Sequence, residues 1–436
     1  MTAPPTTSRA PLTTLLQWLG LGSLVGVICG AASAAFLYLL DLATGYRTSH
    51  EWIVYCLPVA GLAIGTLYAR YGARVKGGNN LVIDTLHDDG PEIPFRMMPM
   101  VLVGTVLTHL FGGSAGREGT AVQMGASLAD YVSHRARLAR PLRRQLLAAG
   151  IAAGFGSVFG TPVAGAVFGL EVVVLGRLEY EALVPALVAS LVGDLTTRGL
   201  GIVHTAYPAV PHVALTPLLC ARWLGFAVAI ALTSIAFIEL THGLKRRGER
   251  HVKPLGLRMA IGGAIVVGLW HLLGTSDYLG LGVPTIVRSF TDPDLVPWAF
   301  AAKLVFTAIT LGAGFLGGEV TPLFFIGAAL GGVLGPALGI PRELGAGVGL
   351  AAVFASASNT PLALSIMAVE LLGANALPHV LLVSVIAYII TGHRSIYPSQ
   401  RVMRVKSGAP TAHTVALRDL TALPPDAPAR RDLLPP

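Results

Sequence analysis

An all-α polytopic membrane protein, assembled from two related halves whose helices break inside the bilayer, is the fold class the sequence predicts. Three observations predict it. Of the 436 residues, 53% are hydrophobic and 12% are charged, with a mean hydropathy of +0.67; soluble domains carry about a quarter charged residues. Apolar stretches recur along nearly the whole chain. Two charged motifs each occur twice, in the same order and at nearly one offset.

The apolar stretches cover roughly 12–44, 52–69, 94–111, 146–176, 182–195, 214–240, 256–273, 297–316, 320–340, 343–357, 359–374 and 376–391. A bilayer takes about 20 apolar residues to cross, and several of these stretches are shorter. Short, Gly- or Pro-interrupted segments in such proteins are helices that stop inside the membrane and turn their free backbone groups toward a protein-lined site. That is transporter or channel architecture. The first run ends in the small residues "GAASAAF", as a cleaved leader would, but only Arg9 precedes it and the apolar pattern continues to Ala43. It is read as a span rather than a signal peptide.

Cys29, Cys56 and Cys220 lie in apolar stretches without a shared spacing, so packing is their expected role. His109, His271 and His379 each stand alone, and no paired-histidine or cysteine cluster suggests a metal or cofactor. The net charge of +8 comes from basic clusters between apolar segments, not from a nucleic-acid face. "SHRARLARPLRR" (133–144) holds five arginines, and "KRRGERHVKPLGLR" (245–258) four arginines and two lysines. Short basic loops sit in the cytoplasm, which places Arg70, Arg74 and Lys76 there as well. The Pro-rich polar tails, 1–11 and 405–436, read as disordered.

"GREGTAVQMGASL" from Gly116 resembles "GGEVTPLFFIGAAL" from Gly317, with Glu118 matching Glu319 and Thr120 matching Thr321 at an offset of 201. "TPVAGAVFGLEVV" from Thr161 resembles "TPLALSIMAVELL" from Thr360, with Glu171 matching Glu370 at an offset of 199. The chain therefore divides into a first repeat over 12–195, a linker over 196–213 and a second repeat over 214–404. Parallel and inverted halves both remain open on this pattern, and either puts the substrate site where broken helices converge.

Gly112, Gly113, Gly116 and Gly119 end one helix near Phe111, and "TAVQMGASLADYV" resumes a helical pattern, so Glu118 stands at or next to a helix N-terminus. Free N–H groups and the positive end of the helix dipole make such a place an anion site. A carboxylate there can occupy the site as a built-in competitor for a diffusible anion until a proton releases it, which makes Glu118 gate and proton carrier together. The plainer alternative is a helix cap or an ion pair with Arg117; an ionisable residue among glycines inside a membrane favours function.

With "GREG" after a Gly-rich break, "GGEVTP" half a chain later and a terminal "GHRSIYPSQ", the chain resembles the CLC family of anion channels and proton-coupled anion transporters over about residues 14 to 404. The resemblance implies a CLC-type fold with two inverted repeats, broken helices meeting mid-membrane, a homodimer with one pore per subunit, and both termini in the cytoplasm of a bacterium whose inner membrane carries the protein. It also implies that Glu118 is the gating glutamate and Tyr397 the pore tyrosine. Departures from the chloride-handling pattern resemble the bacterial fluoride-exporting branch. "KGGNNLVID" stands where "GSGIP" is usual, with Asn79 at the serine position; Thr120 replaces a proline; Glu319 and Thr321 enter the second pore loop; and Val172 occupies the place of the inward-facing proton glutamate. Dehydrating a carboxylate-sized ion costs on the order of 20 kcal/mol in the idealised limit, and the smaller fluoride costs more. A fluoride site needs strong donors: the amide of Asn79, the hydroxyls of Thr321 and Tyr397, and the backbone N–H groups of Gly78, Gly119 and Val320. Asn80 is either a further donor or a turn residue. Glu319 is either a second proton-handling group or a cap for the helix starting near Pro322.

Glu171 and Glu370 are expected to be structural, Arg117 to tie the loop, Lys303 to snorkel from a helix end in preference to adding to a positive potential that attracts anions, and the stripes "GAALGGVLG" and "GVGLAAVFASAS" to be helix-packing faces. The expected function is fluoride/proton antiport that expels fluoride, with fluoride, protons and the lipid bilayer as partners; chloride/proton antiport or passive anion conduction is the alternative. An intramembrane enzyme would need a nucleophile–base pair or a metal motif, and the sequence carries neither, so the chain is read as not an enzyme and without a cofactor.

Overall fold

The computed structural model describes residues 11–87, 92–404, 406 and 410–422, among which sixteen α-helices are found. Eight lie in each half: α1 (Pro11–Ser49), α2 (Leu57–Tyr71), α3 (Asn79–Leu86), α4 (Met97–Leu110), α5 (Glu118–Arg135), α6 (Arg140–Phe159), α7 (Pro162–Glu171) and α8 (Leu183–Gly199), then α9 (Pro217–His251), α10 (Leu255–Leu273), α11 (Val283–Thr291), α12 (Ala299–Ala313), α13 (Val320–Ala337), α14 (Arg342–Ser358), α15 (Pro361–Leu372) and α16 (Leu377–Thr391). Six helical stretches are long and apolar enough to cross a membrane, and the shorter apolar helices are α4 and α7 in the first half and α12 and α15 in the second. The expected apolar run 146–176 is two helices. Gly160 ends α6 in the left-handed region (φ +73°) and Pro162 starts α7. The equivalent residues Asn359 (φ +60°) and Pro361 do the same between α14 and α15; glycine and asparagine are the residues that tolerate that conformation. The inter-helix connection runs over 200–216, since α8 continues to Gly199 and α9 begins at Pro217.

The halves interlock by reciprocal contacts. Glu370 accepts from the N–H groups of Val163 and Ala164 at 3.0 and 2.8 Å, and Glu171 accepts from those of Leu362 and Ala363 at 3.1 and 2.7 Å. Each carboxylate thus closes the N-terminus of the other half's helix, α7 or α15, where free N–H groups favour negative charge. Gly116 and Gly318, in equivalent loops, form an antiparallel bridge with hydrogen bonds of 2.6 and 2.8 Å. Equivalent segments that pair antiparallel are related by a two-fold axis, as the halves of an inverted repeat are. The small-residue stripes are packing faces as expected: a Cβ at Gly327 would meet the backbone of Gly349, and one at Gly331 that of Gly345, so α13 and α14 touch backbone to backbone.

The expected disordered C-terminal tail is corrected over 410–422. β1 (Val174–Leu175) pairs parallel with β2 (Arg401–Arg404), β2 pairs antiparallel with β3 (Pro410–Ala416), and a 3₁₀ turn follows over Leu417–Ala422. Leu175, Val402 and Leu420 bury one another there, and Arg418 pairs with Asp84 at 2.9 Å; composition showed neither the distant strand partners nor this apolar cluster. The remaining tail residues, 1–10 and 423–436, lie outside the described residues. The second basic cluster is also not wholly a loop, since α9 runs to His251.

Candidate functional site

Four glycines and two helix starts build the centre of the molecule. Glu118 is the first residue of α5 and is 0% exposed. Its carboxylate does not cap its own helix in the ordinary way; it reaches across the Gly116–Gly318 bridge to the start of α13. Oε2 accepts from the Thr321 N–H at 3.1 Å and from the Arg117 N–H at 3.1 Å, Oε1 accepts from the Thr321 hydroxyl, and the Arg117 Nε lies 3.5 Å from Oε1. A carboxylate therefore sits on donors at a helix N-terminus, a place with the chemistry of an anion site. Gly119 and Val320 are the adjacent first-turn residues of α5 and α13, whose N–H groups have no helical acceptor by position.

On one side of Glu118 lies a cavity of about 450 Å³ lined by Gly78, Asn79, Asn80, Glu319 and Tyr397 among others. Asn79 begins α3, and a Cβ at Gly119 would come 2.9 Å from its Nδ2, so glycine there lets the amide approach the α5 N-terminus. The Gly78 N–H donates to Val75 O at 3.1 Å and is already engaged, which removes it from the expected set of free donors. Asn80 accepts from the Ser399 N–H at 3.1 Å, tying the start of α3 to the segment that carries Tyr397. Tyr397 is buried, and Ser395 and Gln400 hold it: the Tyr397 N–H donates to Ser395 Oγ, Ser395 donates to Gln400 Oε1 at 2.6 Å, and Gln400 Nε2 donates to Val172 O and Ser358 O, each at 2.8 Å. Glu319 occupies the cap position of α13 but makes no capping hydrogen bond, and its Oε2 is buried without a partner. The capping alternative for Glu319 does not match this geometry.

The structure adds residues that the sequence reading passed over. Gln123 and Thr105 line the same cavity, and the Thr105 and Thr120 hydroxyls are hydrogen-bonded at 2.7 Å; a polar residue on an apolar helix was the available signal. Lys76, Lys245 and Arg258, from the basic clusters, also line it. Lys303 corrects an expectation: it does not snorkel but is 0% exposed, and its Nζ donates to Tyr278 O and Gly280 O at 3.1 and 2.6 Å. The loop before α11 turns those carbonyls inward, so the ammonium is satisfied without water. The His109 ring lies between Thr105 O and Ala115 O, at 2.8 and 2.9 Å, and a neutral imidazole there has one N–H to donate to one of these carbonyls beside the loop before Glu118. Beyond Glu118 a second cavity, of about 390 Å³, includes Arg117 in its wall. Glu118 thus lies in the chain between Arg117, in the wall of this cavity, and Thr120, in the wall of the other.

Residues 60–392 match the family model described as voltage gated chloride channel. The chain is 46% identical over 412 residues, 93% of its length and 91% of the relative's, to the chloride/fluoride channel protein of Pseudomonas syringae pv. tomato. Among solved structures it is similar to a CLC-type fluoride/proton antiporter, with a TM-score of 0.87 and 37% identity over 90% of this chain and 100% of that one. A slow cyanobacterial Cl−/H+ antiporter shares the fold at a TM-score of 0.76 and 18% identity, covering 88% of this chain and 95% of the other.

Proposed function

The chain belongs to the voltage-gated chloride channel family, and from that premise we propose that it is a fluoride/proton antiporter with Glu118 as its protonatable gate. The single observation that carries the reading is the Glu118 carboxylate lying on the Thr321 hydroxyl and N–H at the start of α13. While charged it holds the donors a halide would need. A proton removes the charge, weakens those bonds and frees the donors. The halide then takes the vacated place, and return of the carboxylate expels it while the proton leaves on the other side. Opposite movement follows because one set of donors serves two anions in turn.

Fluoride is favoured over chloride by the donor set. Asn79 and Tyr397 reach the inner cavity from α3 and the C-terminal segment, where strong donors offset the dehydration cost of a small anion. Similarity to a fluoride/proton antiporter at 37% identity supports the same choice. Glu319, unpartnered at Oε2 and facing the inner cavity, is the group through which protons reach Glu118. Lys76, Lys245 and Arg258 line that cavity, and basic segments stay inside; the inner cavity therefore faces the cytoplasm and both chain termini lie on that side. The setting is a bacterial inner membrane, and the unit is a homodimer with a pore in each subunit. No chemical step on a substrate enters this reading.

Liposomes loaded with fluoride or chloride, followed with ion-selective electrodes and a proton readout, test the assignment. Fluoride leaves faster than chloride, and protons move the opposite way. Equal halide rates, or flux without protons, overturn it in favour of chloride exchange or passive conduction.

A further inference from the structure

Arg47 is in the last turn of α1 and only 6% exposed, and its guanidinium makes no hydrogen bond or close ion pair among the described residues; Nε is buried without a partner. Arginine keeps its charge inside proteins, and an unpaired buried charge costs several kcal/mol. A cation at a helix C-terminus interacts well with the dipole, yet this guanidinium bonds none of the last carbonyls. It lines instead the cavity of about 390 Å³ beyond Glu118, together with Arg117, Thr205 and Thr285. Arg117 is the lining residue next to Glu118 in the chain. Its Nε is likewise without a hydrogen bond, and it is the same guanidinium that stands 3.5 Å from Glu118 Oε1.

The position of Arg47 is fixed by the loop before α11. Gly280 has φ +54°, and a Cβ there would lie 3.1 Å from Arg47 Nη2, so only glycine lets the backbone close on the guanidinium. That glycine donates to Gly113 O at 3.2 Å, in the loop leading to Glu118, and its carbonyl accepts from Lys303. The other charges facing Arg47 do not pair with it. Asp277 lies 3.6 Å from Arg288, the Glu51 carboxylate accepts from Ser276 and acts on Arg47 only at a distance, and Asp41 lines the cavity as an exposed residue.

We propose that this cavity binds a hydrated monovalent anion, a halide, between Arg47 and Arg117, one position beyond the place that Glu118 occupies. The inference rests on the transport reading above in taking that ion to be on its way past the gate. A liquid water occupies about 30 Å³, so a cavity of about 390 Å³ admits an ion with its hydration shell. Two guanidinium groups supply the attraction without stripping that shell. The site therefore accepts fluoride, chloride and bromide alike, and discrimination is left to the dehydrated seat at Thr321 and Asn79.

Bromide is the probe. In crystals of the full chain grown in bromide, anomalous scattering shows a peak in this cavity beside Arg47, and the peak is lost in Arg47→Gln. Crystals that show bromide elsewhere but none here overturn the proposal, with no variant needed. In liposomes, Arg47→Gln lowers fluoride efflux at low salt by about tenfold, the lower end of the gain from charge focusing in a cleft. The deficit shrinks as ionic strength rises, and Arg47→Lys restores most of the rate. A salt-independent deficit, or one that lysine does not relieve, marks Arg47 as a packing residue and overturns the proposal. Wild-type protein with a bromide peak but no proton-coupled fluoride flux supports this site while removing the transport reading; normal flux without a peak does the reverse.

Discussion

Glu118 and Glu319 are equivalent residues of the two repeats, each at the start of a broken helix, and their surroundings differ sharply. Glu118 is wholly buried and accepts from two N–H groups and one hydroxyl, with a guanidinium alongside. Glu319 has a buried Oε2 with no donor and looks into the inner cavity. Duplication supplied the same helix break twice, and the difference comes from what each opposite helix offers. Thr321 on α13 turns its hydroxyl to Glu118, whereas the equivalent Thr120 on α5 spends its hydroxyl on Thr105. On the proposed reading, one carboxylate is held as a plug and the other is left for protons.

The strongest way to break this contrast is Glu118→Gln. The neutral amide cannot exchange a proton with the pathway, so proton movement in liposomes falls on the order of 100-fold or more, the scale for losing a positioned proton-transfer group, while fluoride still passes. Unchanged proton movement would return Glu118 to the status of a cap. Glu319→Gln acts on the other side of the comparison and more weakly, because water in the inner cavity can take over part of the relay. Proton movement drops about tenfold, equal to roughly 1.4 kcal/mol, with the gate intact. Identical losses in the two variants would erase the distinction drawn between plug and relay.

The second pair of equivalent glutamates gives the control for symmetry without asymmetry of role. Glu171 and Glu370 each close the N-terminus of the opposite half's helix with two hydrogen bonds. Replacing Glu171 by Gln puts an amide NH₂ against a backbone N–H and costs about 1 kcal/mol, the lower end for a buried donor left unsatisfied, and the same change at the exposed Glu370 costs less because water can take the donor. The midpoint of thermal unfolding in detergent falls in both variants, and further in Glu171→Gln because that side chain is buried and Glu370 is not fully so. A fall in only one of them would mean that the reciprocal contacts do not act as a matched pair.

Much of this was legible before any coordinates. Repetition exposes itself in sequence: of the two pairs of glutamates at offsets of 201 and 199, Glu118 and Glu319 mark the helix starts that meet at the centre, and Gly-rich breaks mark where helices stop. Glu319 follows from the same motifs, Asn79 and Tyr397 from the resemblance to the CLC family, and the structure puts all three on one cavity. What stayed hidden depends on segments outside the repeat. Lys303 reads as an ordinary cation near a helix end until the loop before α11 supplies carbonyls to it, and nothing in the sequence singles out Arg47, whose Nε is buried without a partner. β3 lies in a segment whose composition suggests disorder, and its partners are β2 and, through it, β1 more than two hundred residues upstream. Gly78 looked like a free donor because glycine loops often are, but a local turn bond to Val75 uses its N–H.

Thr105 sets the finest test. It lies in α4, and the residue 201 positions later is Phe306, which has no hydroxyl to mirror it. That single difference between the halves gives Thr120 a partner at 2.7 Å and leaves Thr321 free for Glu118. Thr105→Val keeps the shape and removes the partner, and the Glu319 carboxylate, which lines the same cavity as Thr120 and has an Oε2 without a donor, is the acceptor expected to take the freed hydroxyl. A hydrogen bond of net strength about 0.5–1.5 kcal/mol then favours the charged form of Glu319 and makes it a poorer relay. Proton movement slows about two- to twelvefold at that strength, and the effect disappears in the Thr105→Val, Glu319→Gln double variant because the acceptor charge is gone. A slowing that persists in the double variant would place the consequence of Thr105 in the packing of α4 against α5, and the asymmetry between the two glutamates would need another cause.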